Sequence, residues 1–308
     1  MNRRVLLISA AAAGVSACAH AKPLDRSKDF AAIEAQLKGR LGVSAIDTGD
    51  GRELLYRADE RFAMASTFKL ALAAAVLAKV DQGALSRDQM VPYTSADLFD
   101  YAPVTRAHVA KGALSIEALC AAVVEVSDNS AANLLLPLVG GPEGFMAFLR
   151  AHGDKTTRLD RTEPTLNTNL PGDPRDTTTP NAMRETVRTL ALGAALSPAS
   201  RASLEAWMVN STTGLNRLRG GFPKEWRVGD KTGNGGNGAT NDLAIAWPPH
   251  RKPIVIAVYS SNTDAAAREL AFADAFRPGK DQRRACAPVQ QQALQHGFVA
   301  FVAGELGE

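Results

Sequence analysis

The chain is poor in cysteine, in histidine and in surplus charge of either sign. Its 308 residues hold three cysteines, too few for a disulfide scaffold. The five histidines, at 20, 108, 152, 250 and 296, never approach metal-ligand spacing, which argues against a zinc hydrolase. Lys and Arg number 35 against 32 Asp and Glu, a net of +3. Arg3 and Arg4 fall in a leader segment; without them the count is 33 against 32, or +1. Nucleic-acid binding needs a concentrated basic patch, and none appears. No apolar run outside the leader reaches membrane-spanning length. What is present is ordinary for a globular protein with a substantial core: 45% hydrophobic and 22% charged residues. The length predicts about two domains, or one large one.

Residues 1–21 read as an export signal. Met1-Asn2-Arg3-Arg4 is basic, and Val5 to Ala17 is an apolar stretch of thirteen, too short for a mature transmembrane helix. Two processing sites compete. Ala19-His20-Ala21 fits cleavage before Lys22, whereas Val15-Ser16-Ala17-Cys18 resembles a lipobox that would leave Cys18 lipid-modified. The paired arginines before Val5-Leu6-Leu7 resemble a twin-arginine signal. The expected location is the periplasm, with an envelope lipid anchor if Cys18 is used. Cys120 and Cys286 then remain. Cys120 lies in the apolar run Leu119 to Val126, as a buried small hydrophobe would. A bridge between the two stays open.

Helical spacing of Phe30, Ile33 and Leu37 predicts a helix over 29–37. Strands are predicted over 40–47 and 53–56, joined at Gly49-Asp50-Gly51. From Phe62 to about Asn210 the pattern is mostly helical, with core helices over 66–80, 116–126 and 131–138. Amphipathic helices over 142–152 and 180–192 each open on a proline. Residues 158–179 carry no period, and a loop that long in a compact domain is usually functional or disordered. Strands return over 226–232, 242–247 and 254–260. This order predicts an α+β protein whose sheet is built from both chain ends. Residues 22–61 and 211–308 would form the sheet domain and 62–210 an inserted helical one. Beyond it, a helix over 264–276 breaks at Arg277-Pro278-Gly279-Lys280, and an apolar helical segment spans 289–302; this tail has no functional reading.

Ser66-Thr67-Phe68-Lys69 puts a serine and a lysine on one face of a very apolar helix. Burial lowers a lysine's pKa and favours a neutral amine able to take the serine's proton. Taken alone, the pair is better read as a helix N-cap serine followed by a snorkelling lysine. Ser127-Asp128-Asn129 follows a buried helix, and Lys231-Thr232-Gly233 ends a strand; each alone is an ordinary turn. Arg161-Thr162-Glu163-Pro164-Thr165-Leu166-Asn167 lies in the irregular loop, where a solvated charged segment would look the same.

In this order and spacing the segments resemble the class A serine β-lactamases, from about Asp29 to about Phe276. That class carries the same Ser-x-x-Lys, Ser-Asp-Asn and Lys-Thr-Gly set. Tyr101-Ala102-Pro103-Val104-Thr105, Asn133-Leu134-Leu135-Leu136 and Asp173-Pro174-Arg175-Asp176-Thr177-Thr178 match as well. The resemblance implies a five-stranded antiparallel sheet flanked by helices, an inserted all-helical domain, and an active site between them. It implies Ser66 as nucleophile, Lys69 and Glu163 as alternative bases for acylation, and an oxyanion hole from the backbone N–H groups of Ser66 and Asn234. It implies proton relay by Ser127, a substrate amide bound by Asn129, and a carboxylate gripped by Lys231 and Thr232, next to Gly233. Tyr101 would flank the cleft, Glu163 and Asn167 would activate the deacylating water, and Arg161 would pair with Asp176 to close the loop.

Two places depart from the family pattern. Where many members have an arginine on the strand after Lys-Thr-Gly, this chain has Thr240; Arg217 matches an alternative position, with Arg219 its competitor. Asn234-Gly235-Gly236-Asn237-Gly238 is unusually rich in Gly and Asn. The Asn234 amide would meet the substrate carboxylate or point to solvent. The expected activity is metal-free, cofactor-free hydrolysis of penicillins and cephalosporins by a monomer that confers antibiotic resistance. A penicillin-binding DD-peptidase would share Ser66, Lys69, Ser127 and Lys231 but lack the Glu163–Asn167 pair. A non-enzymatic β-lactam sensor or envelope lipoprotein would acylate and stay acylated.

Overall fold

The computed structural model describes residues 25–263. The leader with Cys18, the predicted helices over 264–276 and 289–302, and Cys286 lie outside the described residues.

Helix α1 (Ser27–Leu37) precedes strands β1 (Arg40–Asp47) and β2 (Glu53–Tyr56), joined by a turn whose Gly51 sits at φ +79°. The short β3 (Phe62–Ala63) leads into a helical region. That region contains α2 (Phe68–Asp81), β4 (Met90–Pro92), α3 (Pro103–Ala107), β5 (Ala113–Ser115), α4 (Ile116–Glu125), α5 (Asn129–Leu135) and α6 (Gly141–Ala151). It closes with β6 (Thr177–Thr178), α7 (Pro180–Val187) and α8 (Pro198–Asn210), after which the short α9 (Leu218–Gly221) returns to the far face of the sheet. Strands β7 (Arg227–Asn234), β8 (Thr240–Trp247) and β9 (Ile254–Ser261) complete the sheet.

All five long strands pair antiparallel in the order β2-β1-β9-β8-β7. Chain ends therefore meet at the sheet centre, where Arg40 pairs with Ser261 and Asp47 with Ile254. Alternating side chains serve two apolar layers. Leu243, Ile245, Val255, Ala257 and Tyr259 face the helices, while Ala244, Ala246, Ile254, Ile256 and Val258 pack with α1 and α9 residues Phe30, Leu37 and Leu218.

Helix α2 is the axis of the helical layer: every residue from Phe68 to Ala78 is buried. Full burial of one Leu or Phe contributes about 1.5–3 kcal/mol, so this helix is among the most firmly held elements. The predicted helix over 66–80 begins later than expected, because Ala65–Thr67 forms a tighter 3₁₀ turn ahead of it. The helix predicted over 131–138 gives way to a 3₁₀ turn at Leu136–Val139, where Pro137 lacks the N–H an α-helix requires. The helix predicted over 180–192 changes to π geometry at Arg188. Among the described residues no single helix is long and apolar enough to cross a membrane.

Candidate active site

Between the sheet edge and the helices lies a cleft of about 550 Å³. Ser66, Tyr101, Ser127, Asn129, Asn167, Arg217, Thr232, Gly233 and Asn234 line it. Its floor is the 3₁₀ turn before α2. Asn241 of β8 donates both amide hydrogens, to Ala63 O and Met64 O at 2.9 Å each, and so ties the sheet to the backbone just before Ser66. Gly233 is pressed onto the same turn: a Cβ there would lie 2.8 Å from Met64 O and 3.1 Å from Thr67 N. That approach, open only to glycine, sets Asn234 beside Ser66 at the cleft wall.

Lys69, one turn beyond Ser66, is fully buried at the cleft floor. Its Nζ donates to Ser66 Oγ (3.0 Å), Ser127 O (2.9 Å) and Asn129 Oδ1 (2.5 Å), and pairs with Glu163 Oε1 at 2.9 Å. Burial lowers the Lys69 pKa, against the raising effect of the Glu163 carboxylate. Ser66 Oγ lies 3.4 Å from Glu163 Oε1, so one hydroxyl faces both groups. Lys231 Nζ donates to Ser127 Oγ at 3.0 Å and to Thr232 O at 2.8 Å. Burial, with the nearby Lys69 charge, lowers its pKa to about 7. Ser127 itself holds a left-handed φ of 61°, uncommon for a non-glycine residue.

Glu163 stands on the loop over 158–179, which is held by polar contacts. Asp176 Oδ1 accepts from the backbone N–H groups of Asp160 (2.7 Å) and Arg161 (2.9 Å), and Asp176 Oδ2 pairs with Arg161 Nε at 2.5 Å. Asn133 of α5 clamps the Glu163 backbone, accepting from its N–H at 3.1 Å and donating to its C=O at 2.9 Å. A 3₁₀ turn at Thr165–Asn167 brings Asn167 Nδ2 to 2.6 Å from Glu163 Oε2.

Arg217 is nearly buried, donating to Asn241 O (2.9 Å) and Asn234 Oδ1 (2.7 Å). The Asn234 amide oxygen is thus turned toward Arg217. Arg219 points elsewhere: it binds Met208 O and Val209 O at 2.8 Å and pairs with Asp230. Thr240 is buried on β8, in register with Asn234. Thr232 Oγ1 bonds Thr213 Oγ1 at 2.7 Å. Tyr101 is half exposed at the cleft mouth, and its carbonyl accepts from Asn129 N at 3.0 Å.

Three supporting residues had no role in the sequence reading. Asp128 caps α5 through Ala131 N (2.9 Å) and accepts from Val104 N and Thr105 N (2.9 Å each), fixing the Tyr101 segment to the Ser127 turn. The signal was its place before a helix, where aspartate is a preferred N-cap. Asp242, in register with Thr232, accepts from Leu218 N at 3.1 Å and so anchors the backbone beside Arg217. Burial and the neighbouring Asp230 charge push its pKa well above the usual carboxylate range. In the sequence Asn133 stands out only as part of the Asn133-Leu134-Leu135-Leu136 match, which does not show its grip on the Glu163 backbone. Among the described residues no cluster of His, Cys, Asp and Glu could hold a metal ion. Cys120 is buried in α4, and burial raises its thiol pKa, leaving it an inert packing residue.

A serine hydroxyl between a buried lysine and a carboxylate, backed by a serine–lysine pair and an arginine, is the equipment of a serine enzyme working through an acyl intermediate. A family model described as the beta-lactamase enzyme family matches residues 25–277. The chain is 47% identical to β-lactamase CTX-M-8 of Citrobacter amalonaticus, over 86% of this chain and 92% of that protein. It is 50% identical to β-lactamase AST-1 of Nocardia asteroides, over 80% of each. Among solved structures, an ancestral (GNCA) class A β-lactamase superposes with a TM-score of 0.79 at 56% identity, covering 80% of this chain and 96% of that one. The chain belongs to the class A serine β-lactamase family.

Proposed function

We propose that this enzyme hydrolyses the β-lactam ring of penicillins and cephalosporins and thereby confers resistance to them. The observation that carries the reading is the Glu163–Asn167 pair beside Ser66, with Glu163 Oε1 3.4 Å from Ser66 Oγ. A DD-peptidase or a sensor needs no such pair.

Ser66 Oγ attacks the lactam carbonyl while its proton passes to Lys69 or Glu163, both in reach. Lowered basicity suits Lys69 to this role, and the carboxylate of Glu163 suits it equally. The tetrahedral oxyanion is stabilised by the N–H groups of Ser66 and Asn234, aimed at charge that exists only near the transition state. As the C–N bond breaks, Ser127 gives its proton to the departing nitrogen and takes up, through Lys69 Nζ at 3.5 Å, the proton abstracted from Ser66; Lys231 Nζ at 3.0 Å stabilises the transfer. The ring carboxylate binds Lys231, Thr232 and Arg217, and the side-chain amide binds Asn129, with Tyr101 flanking it. Glu163 then deprotonates a water that attacks the ester, and returns that proton to Ser66 Oγ, 3.4 Å away, as the C–O bond to the serine breaks. Asn167 Oδ1, buried without a protein partner, is a second contact for that water. Arg161 and Asp176 keep the loop closed over this chemistry.

The leader over 1–21 directs export to the periplasm, with release before Lys22 or a lipid anchor at Cys18, and the mature enzyme acts as a monomer. Purified protein followed with a chromogenic cephalosporin tests the central reading. Many turnovers per enzyme support hydrolysis; a single stoichiometric burst assigns the chain to the peptidases or sensors.

A further inference from the structure

The loop carrying Glu163 and Asn167 meets the β7–β8 turn along a seam closed by two asparagines. Asn169 Nδ2 donates to Gly236 O (3.2 Å) and Asn237 O (3.0 Å). Asn237 Nδ2 donates back to Thr168 O (3.2 Å) and Asn169 O (3.0 Å). Each side chain thus grips the other's backbone. Between the clasp and the cleft, Gly236 N donates to Asn167 O at 2.7 Å. The strand end can come this close because it lacks side chains: a Cβ on Gly235 would lie 2.8 Å from Asn167 O, and one on Gly236 2.8 Å from Thr168 O. Both asparagines hold left-handed φ values, 48° and 46°, which asparagine tolerates better than most residues.

Apart from their own contact, Glu163 and Asn167 are anchored by different parts of the molecule. Glu163 is fixed through its backbone by Asn133 and through its carboxylate by Lys69, both on helices remote from the seam. Ser66, in the Ala65–Thr67 turn, and Lys69, in α2, make their side-chain hydrogen bonds to each other and to Ser127, Asn129 and Glu163. Asn167 is different: within the loop it bonds only Glu163 Oε2 and Pro164 O, while across the seam its backbone carbonyl is held by Gly236 and the residues that follow it by the clasp. A lone backbone hydrogen bond is a weak restraint on a loop, while five acting together fix it.

We propose that the Asn169–Asn237 clasp holds Asn167 over Glu163, making both asparagines positioning residues for hydrolysis of the acyl-enzyme and not for its formation. This inference rests on the β-lactamase reading. Removing the clasp leaves Asn167 with fewer restraints and loosens its hold on the deacylating water, while Ser66, Lys69 and Glu163 keep their anchors.

Asn169→Gly and Asn237→Gly, singly and together, remove the amides and leave the left-handed backbone relaxed. With a penicillin, adduct formation read by quenched-flow mass spectrometry should stay within about twofold of the parent enzyme. Decay of the adduct should slow about tenfold in the double variant. In the steady state kcat and KM should then fall together, leaving kcat/KM nearly unchanged. Formation slowed as much as decay would make the clasp a general structural brace and overturn the inference. So would an unaltered decay rate in the double variant. Each single variant keeps two of the four bonds, so the single variants carry the test if the double variant does not fold. An unmodified enzyme that acylates but never turns over overturns the hydrolase reading and this inference with it. Normal turnover with clasp variants indistinguishable from it overturns this inference alone.

Discussion

The two halves of the catalytic apparatus are held by opposite means. Ser66 and Lys69 stand at the head of a helix buried from Phe68 to Ala78, where apolar packing fixes their positions. Glu163 and Asn167 stand on a segment with almost no regular structure, held by the Arg161–Asp176 pair, the Asn133 clamp and the Asn169–Asn237 clasp. Apolar packing is non-directional and shared among many contacts, so the helix tolerates small losses. A polar staple is directional and few-membered, so losing one partner strands another. The nucleophile is therefore tied to the core, and the deacylating pair to a detachable polar frame.

The sharpest way to separate the halves is Glu163→Ala. It should still form the penicillin adduct, then stall, with turnover lowered by about 10²–10⁴-fold as for a missing general base. Mass spectrometry should find near-stoichiometric acylated protein persisting for minutes, and none with Ser66→Ala. Turnover equal to the parent enzyme would refute the assignment. Breaking the frame itself comes next. Asp176 is fully buried, so Arg161→Ala strands its charge and should cost about 3 kcal/mol in chemical denaturation. Unchanged stability would show that the loop is held without that pair.

Two smaller effects sharpen the carboxylate end of the cleft. Arg217→Ala should raise KM for penicillins more than it lowers kcat, by about 1–3 kcal/mol in kcat/KM. Arg219 is committed to Asp230, so Arg219→Ala should instead lower stability; the reverse pattern would shift the binding role to Arg219. The last prediction concerns Lys231, whose buried ammonium is lowered from 10.5 to about 7. Between those values the unfolded chain binds more protons than the folded one, so this group's contribution to stability rises with pH across that window. Its attraction for a carboxylate runs the other way and fades above about pH 7. KM for penicillin should therefore climb from pH 7 to 9, and Lys231→Arg, charged throughout, should flatten the profile. An identical slope in the variant would remove Lys231 as the cause.

Most of the frame was legible where a residue's neighbours in sequence decide its state. The strands predicted over 40–47 and 53–56 coincide with β1 and β2, because period-two apolar residues flank a glycine turn. Ser66 and Lys69 fell together because three residues along a helix lie on one face. The deviations are local too, as at Pro137. What escaped was set by contacts between distant backbones. Nothing in the sequence pairs Asn169 with Asn237, since each reads only as a turn residue. Nor does it say that Asn234 turns its amide toward Arg217, seventeen residues earlier.

The pairing of β1 with β9 sets a timetable for assembly. Val43 waits for Val258, more than two hundred residues later, before its strand is covered on that side. Such long-range closure gives no reward until most of the chain entropy has been surrendered, and it slows folding. During synthesis the first strand leaves the ribosome long before its central partner exists. The hairpin with β2 offers only one covered edge in the interval. A chain cut short before Ile254 would lack the middle strand of its sheet, and would expose two strand edges to any neighbouring chain.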